Sequence, residues 1–594
     1  MSAVAPLQLA ALSADVEGEG GTAGGRPPCR TRMDDTTPRR RSPRARCAAA
    51  LLTLSGIAAA ALLLAACAAA PASRATAAAA SRPTLPVRVD GGRVSGLDDG
   101  VLCVFRGIPY AAPPVGKRRW RPPQPVHAWK GVRACTKFAA SCPQGGAPDR
   151  RGRLAGAQSE NCLFLNVWTP ARTAGEGLPV MVWIHGGGFI SGSGSLPARF
   201  GENLSSKEGV VVVSLNYRLG VFGFLALPEL SAESAHGVSG NYGLLDQIAA
   251  LRWVRRNIAA FGGDPRRVTI FGQSAGGQGV IDHLVSPLSR GLFARAIAQS
   301  PRYQDRGVGL WSTLTLMEQE QEGEEICDLL DISNGAGALA ALRRVPAARL
   351  LRVTAPATRP LPLLFVRPPQ PSFQPVVDGY VLPDEPWRLI DRGSWARVPL
   401  IIGSNADECN MWLMGVKPQD AGAVALASRQ RVKWYVGAHW APLAAEFPAA
   451  DYGGLLPATS RMMTVLEFNA PARDLARSAA LQNVPSYLYY FSWTPPGDVW
   501  GAHHSAEVPC VFGGRGPIDR LGMLLLADAT LFRQMTHYWA TFAATGDPNA
   551  PGQPRWPRYD PAADLLLELT VPTMAMAAPY PVACAIADQA NREH

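Results

Sequence analysis

The stretch Val268-Thr-Ile-Phe-Gly-Gln-Ser274-Ala-Gly-Gly277 sets a serine inside Gly-x-Ser-x-Gly. Residues Val268 to Phe271 favour a strand, and a helix-like segment, Gln278 to Leu284, follows the turn. Strand, sharp turn and helix in that order hold a serine hydroxyl at the carboxyl end of a sheet, where it becomes a nucleophile. The pentapeptide by itself is a weak signal in a chain with glycine at 59 of 594 positions, so its surroundings decide.

Working outward, Leu178-Pro-Val-Met-Val-Trp-Ile-His185 is a nearly continuous apolar run, the pattern of a strand buried on both faces. Val210 to Leu215 is another. Leu244, Leu245, Ile248, Leu251, Val254 and Ile258 keep helical spacing and predict a helix over 244–261. Gly262-Gly-Asp-Pro265 ends it, and Val268 starts the next strand. Further strand-like runs lie at Ala294–Ala298, Pro399–Ile402 and Ser486–Trp493. This alternation predicts an α/β fold with a mostly parallel sheet and helices on both faces. Ligands then bind beyond the carboxyl ends of the strands, where Ser274 lies.

A serine hydroxyl needs a base within hydrogen-bond reach, a third group to orient that base, and N–H donors for the oxyanion. His185-Gly-Gly-Gly188 directly follows a predicted strand, and consecutive glycines let backbone N–H groups face a site that any Cβ would crowd. It matches the HGGG element that supplies oxyanion donors in lipases and esterases. For the base, His503 and His504 stand in Gly501-Ala-His-His-Ser-Ala-Glu507, after the Ser486–Trp493 strand. For the acid, Asp407 and Glu408 follow the Pro399–Ile402 strand. The order serine, acid, histidine is that of the α/β-hydrolase fold. Local spacing leaves both pairs open.

Composition bounds the rest. The chain is 47% apolar and 18% charged, as globular proteins are. Of the net charge of +11, residues 1–67 supply a surplus of three and the remainder is spread without a Lys/Arg block, which speaks against nucleic-acid binding. Residues 1–67 read as an export leader: Pro38-Arg-Arg-Arg-Ser-Pro-Arg-Ala-Arg46, then an apolar run from Ala48 to Ala66. Met33 is a plausible start. Leu64-Ala-Ala-Cys67 resembles a bacterial lipobox, which makes Cys67 the lipidation candidate and implies attachment to the cell envelope. An ordinary signal cleaved near Ala70, giving a secreted or periplasmic protein, and an uncleaved anchor are the alternatives. Residues 68–84 are an Ala/Pro-rich tether, and 85–594 form the catalytic domain, with no long linker or repeat. Export permits disulfides. No Cys-x-x-Cys pattern points to zinc, and no metal or organic cofactor is implied.

At this point the chain is similar to the type-B carboxylesterases, the family of para-nitrobenzyl esterases, animal carboxylesterases and cholinesterases. The resemblance covers about residues 85–575. It rests on Phe105-Arg-Gly-Ile-Pro-Tyr-Ala-Ala-Pro-Pro-Val-Gly116 with Arg119-Trp120, and on Ser159-Glu-Asn-Cys-Leu-Phe-Leu-Asn-Val167. Asn216-Tyr-Arg-Leu-Gly-Val-Phe-Gly-Phe224, Gly240-Asn-Tyr-Gly-Leu-Leu-Asp246 and Phe542-Ala-Ala-Thr-Gly-Asp-Pro-Asn549 extend it. The resemblance implies an α/β-hydrolase fold and a serine esterase acting on small-molecule carboxylic esters through an acyl-enzyme. It implies Ser274, Glu408 and His504 as the triad, favouring Glu408 over Asp407 and His504 over His503. It implies Gly187, Gly188 and Ala275 as oxyanion donors, a Cys142–Cys162 disulfide, and a Glu160–Arg119 pair. An amidase or lactonase on the same triad, or a non-catalytic binding protein, are the alternatives.

The sequence departs from the family pattern at Asn161, Pro301, Cys409, Ser505 and Cys510. A Cβ at 409 or 505, where glycine is usual, is expected to shift the acid and base loops. Cys327 is expected to be free. Residues 143–161 hold no aromatic and three arginines, Arg150, Arg151 and Arg153, which disfavours choline esters.

Overall fold

The computed structural model describes residues 81–145, 157–196, 201–301, 313–333, 335, 337–354, 373–514 and 526–593. The expected leader 1–67, with Met33 and Cys67, most of the expected tether, Arg150, Arg151 and Arg153 lie outside the described residues. The strands in chain order are β1 (Arg82–Pro83), β2 (Val87–Val89), β3 (Gly92–Ser95), β4 (Leu97–Asp98), β5 (Cys103–Pro109), β6 (Val132–Ala134), β7 (Phe164–Thr169) and β8 (Leu178–Ile184). They continue as β9 (Val211–Leu215), β10 (Gly263–Gln273), β11 (Arg295–Gln299), β12 (Leu400–Asn405), β13 (Ser486–Phe491), β14 (Leu565–Leu569) and β15 (Met574–Ala577).

Twelve of them form one sheet in the order β1-β4-β5-β7-β9-β8-β10-β11-β12-β13-β14-β15. From β9 to β14 every neighbouring pair is parallel, and the flanking pairs are antiparallel. This is the mostly parallel sheet expected, and its central strands are apolar throughout because helices cover both faces. All of β9 is buried, as is β8 from Pro179 onward. Ring packing spans the sheet face: Trp183 on β8 meets Phe271 on β10 edge-on at 4.9 Å. The sheet begins at Arg82, three residues before the expected domain edge at Leu85.

Two sequence expectations shift in register. The predicted helix 244–261 is an α-helix over Tyr242–Asn257 and a 3-10 turn over Ile258–Phe261, ended by Gly262 at φ 82°. The strand expected from Val268 begins at Gly263. Its ladder with β8 jumps from Gly263–Leu178 to Val268–Val180, so five residues face two. Pro265 has no N–H to give the ladder, and the Arg266 N–H turns back to Asp264 Oδ1 at 2.8 Å. Regular pairing therefore starts at Val268, the residue that the sequence pattern marks. Among the described residues, no helix is long and apolar enough to cross a membrane.

Candidate active site

The carboxyl ends of β8, β10, β12 and β13 each deliver one part of the site. β10 ends at Gln273, and Ser274 turns the chain into the helix Ala275–Val285 with φ 59° and ψ −127°. That backbone region is costly for a non-glycine residue, on the order of 1–3 kcal/mol, and persists only where its surroundings enforce it. Here the glycines allow it. A Cβ on Gly272 would lie 2.4 Å from Gly276 O, and one on Gly276 would lie 2.1 Å from Ile184 O. The helix can thus start pressed against β8 and β10 only with both glycines present. The Ser274 N–H donates to Gln299 O at 2.9 Å, which locks the turn to β11. Ser274 itself stays partly exposed between buried neighbours.

The glycine loop after β8 packs on this turn. A Cβ on Gly186 would lie 2.4 Å from Gln273 O and 3.0 Å from Ser274 Cβ. Gly187 has φ 119° and Gly188 φ 63°. Among the described residues, the N–H groups of Gly187 and Gly188 donate no hydrogen bond. That of Ala275 heads a helix, where the first N–H groups have no partner within the helix. The three expected oxyanion donors are therefore open, and the loop that holds two of them packs on the Ser274 turn.

In the acid and base loops Glu408 and His504 meet, whereas Asp407 and His503 stay out of that contact. Glu408 is fully buried after β12, with Oε1 accepting the Asn405 N–H at 2.8 Å and Oε2 2.5 Å from His504 Nδ1. An ionised carboxylate accepts only, so Nδ1 carries the proton and Nε2 presents its lone pair. Asp407 instead points away: its Oδ1 is 2.5 Å from an Arg461 nitrogen and its Oδ2 accepts the Ala502 N–H at 3.0 Å. It ties the acid loop to the histidine loop. A Cβ on Gly501, at φ 71°, would meet Asp407 Oδ2 at 2.4 Å. His503 Nδ1 contacts the His504 carbonyl at 2.9 Å and takes no part in the pairing with Glu408. The His504 ring is flanked by Trp412 and Phe468, with centroids 5.1 and 5.2 Å away.

Cys409 takes φ −72°, an ordinary helical value, so no glycine is needed there. Ser505 does carry strain, with φ 73°.

Two further buried groups received no role from sequence. The Glu507 carboxylate accepts from Gln299 Nε2 at 3.0 Å and from Asn405 Nδ2 at 2.7 Å. Burial, and then the charge of Glu408, push its carboxyl up. Gln273, 1% exposed, places Nε2 3.1 Å from His504 Nε2 and accepts from Ser505 Oγ at 2.9 Å. Among the described residues, His504 Nε2 makes its hydrogen bond with Gln273 and not with Ser274. The only advance signal for Gln273 was its place beside the serine.

Cys142 and Cys162 are disulfide-bonded, with Cα atoms 5.0 Å apart. Arg119 grips both oxygens of Glu160, at 2.7 and 2.5 Å. Among the described residues, Cys103, Cys135, Cys327, Cys409, Cys510 and Cys584 form no disulfide.

Comparison with known proteins identifies the family. The profile described as the carboxylesterase family matches residues 83–586. This chain belongs to the carboxylesterase family. It is a carboxylic ester hydrolase on an α/β-hydrolase fold. This carboxylesterase is 38% identical over 491 residues to the fumonisin B1 esterase of Sphingopyxis macrogoltabida, covering 82% of this chain and 86% of that one. It is 37% identical over 485 residues to the para-nitrobenzyl esterase of Bacillus subtilis (strain 168), covering 79% and 91%. Among solved structures it resembles a PNB esterase with TM-score 0.69 and 34% identity, over 84% of this chain and 99% of that one.

Proposed function

We propose that this carboxylesterase works through Ser274 as nucleophile, His504 as general base and acid, and Glu408 as the group that orients His504. The observation that carries the reading is the buried contact of 2.5 Å between His504 Nδ1 and Glu408 Oε2, with the other ring nitrogen directed at the residue next to Ser274. Ser274 Oγ attacks the ester carbonyl while its proton passes to His504 Nε2. The oxyanion takes the N–H groups of Gly187, Gly188 and Ala275, which are fixed before substrate arrives and need no reorganisation. His504 then protonates the leaving alcohol as the tetrahedral adduct collapses. Water hydrolyses the acyl-enzyme by the same route in reverse, and Ser274 regains its proton.

The ester itself is open to assay. Fumonisin B1 and para-nitrobenzyl esters, for which the relatives are named, join aryl, alkyl and dicarboxylic esters in the panel. Choline esters are disfavoured, because residues 143–161 offer no aromatic face to a quaternary ammonium. Ser274→Ala is expected to lower para-nitrophenyl ester turnover by roughly 10⁴-fold or more with Tm unchanged. Turnover within tenfold of wild type in the purified variant overturns the assignment.

A further inference from the structure

The position before the nucleophile carries an amide, and the position after the base carries a hydroxyl. The two meet on the base. Ser505 Oγ donates to Gln273 Oε1 at 2.9 Å, and Gln273 Nε2 lies 3.1 Å from His504 Nε2. With Oε1 held by the Ser505 hydroxyl, the NH₂ end of the amide faces the imidazole. His504 Nδ1–H is committed to Glu408, so Nε2 has one in-plane lone pair, and Gln273 N–H occupies it. That lone pair is the one that must take the proton of Ser274. Gln273 is 1% exposed and His504 3% exposed, so water competes weakly for either group.

Ser505 adopts φ 73°, a left-handed conformation that glycine takes freely and serine does not. A hydroxyl kept there at a conformational cost is explained by its bond to the Gln273 amide. We propose that Gln273, anchored by Ser505, is a positioning residue that caps His504 Nε2 in the resting enzyme. The cap keeps the imidazole in the Nδ1–H tautomer and aims it at the elbow. It must release before proton transfer from Ser274. This proposal rests on the triad reading above.

A contact present at rest and broken on the way to the transition state slows acylation. Gln273→Met keeps the chain length and the apolar stem but removes the donor. It is expected to raise the second-order rate at which diethyl para-nitrophenyl phosphate phosphorylates Ser274 by roughly two- to tenfold, the equivalent of one neutral hydrogen bond. Ser505→Ala and Ser505→Gly remove the same anchor and are expected to raise that rate equally, by less than Gln273→Met does. Yet they treat the backbone differently: Gly relaxes φ 73° and raises Tm, whereas Ala does not. A purely structural role for Ser505 moves Tm and leaves the phosphorylation rate alone. In the double variant Gln273→Met/Ser505→Ala, no further gain is expected, because both changes break one network.

Rates at or below wild type in the Ser505 variants, with Ser274→Ala inert to the reagent, overturn the cap and leave the triad standing. Phosphorylation or turnover surviving in Ser274→Ala overturns the triad instead. Should Gln273→Met fail to fold, the two Ser505 variants decide the matter by themselves.

Discussion

Replacing Glu408 with glutamine tests how the base is oriented. In the native site Glu408 Oε1 accepts the Asn405 N–H at 2.8 Å, and Oε2 lies 2.5 Å from His504 Nδ1. An amide supplies one acceptor and one donor end, so it cannot accept from both partners. If its oxygen stays on Asn405, its NH₂ faces His504 Nδ1. The ring then moves its proton to Nε2, where it cannot accept from Ser274. If the amide flips, its NH₂ meets the Asn405 N–H, a buried donor facing a donor, at a cost of about 1–3 kcal/mol. Either path holds a neutral side chain where a buried carboxylate stabilised the imidazolium. The predicted loss is roughly 10⁴-fold in kcat, or about 5 kcal/mol of transition-state stabilisation, the scale seen when a triad histidine is put in the wrong tautomer. The control is Asp407→Asn. Its carboxylate also serves two donors, Arg461 and the Ala502 N–H, so the variant is expected to lose roughly 1–3 kcal/mol of stability. Its kcat should stay within about tenfold, because Asp407 does not touch His504. Stopped-flow hydrolysis of para-nitrophenyl butyrate and thermal melts of both variants separate the two. If Asp407→Asn is the one that abolishes turnover while Glu408→Gln stays within tenfold, the orientation argument is refuted.

Two other expectations concern the elbow helix and the glycine loop. Asp282, buried in the helix Ala275–Val285, is pushed up to about 7 from its ordinary 3.8 by burial, against the pull of the Gln278 amide. The native state therefore holds a proton that the unfolded chain releases. The stability this confers is full below pH about 3.8 and is lost as pH rises through about 7. Asp282→Asn should remove a slope of up to about 1.4 kcal/mol per pH unit, read from urea melts at several pH values between 4 and 7; identical slopes in both proteins contradict it. Gly187→Ala places a Cβ 2.3 Å from Ser191 O at φ 119° and turns an oxyanion donor out of line. A fall of roughly 10²–10³ in kcat with KM little changed is expected, and an unchanged kcat removes Gly187 from the oxyanion site.

The parts legible in the sequence are those whose function is encoded by neighbours in the chain. The elbow around Ser274 needs glycines at 272 and 276 because two backbones touch there, and close backbone approach leaves glycine as its trace. The glycine run after β8 is readable for the same reason. The choice between Asp407 and Glu408 was not, because both follow β12 and differ only in which distant partner each meets. Asp407 is claimed by Arg461 and Glu408 by His504, residues that no local pattern links to either acid. The resemblance to esterases supplied that choice, and Glu408 is the acid that lies against His504. The contacts of Gln273 were invisible for the same physical reason, since its partners lie in the base loop at 504 and 505. Ser505 was visible only as a serine where glycine is usual. Its hydroxyl makes a contact with Gln273 that glycine could not make, and at Cys409 the backbone is helical and does not require glycine. Pro265 shows the opposite limit: it hid the first turn of β10 behind what reads as a helix stop.

The account stands on Ser274 as the atom that bonds to substrate. Peptide mapping by mass spectrometry after treatment with diethyl para-nitrophenyl phosphate tests this directly. One diethylphosphoryl group per chain, on the peptide containing Ser274 and absent in Ser274→Ala, is the predicted result. Loss of activity with the adduct on any other residue, or an adduct that persists in Ser274→Ala, contradicts it.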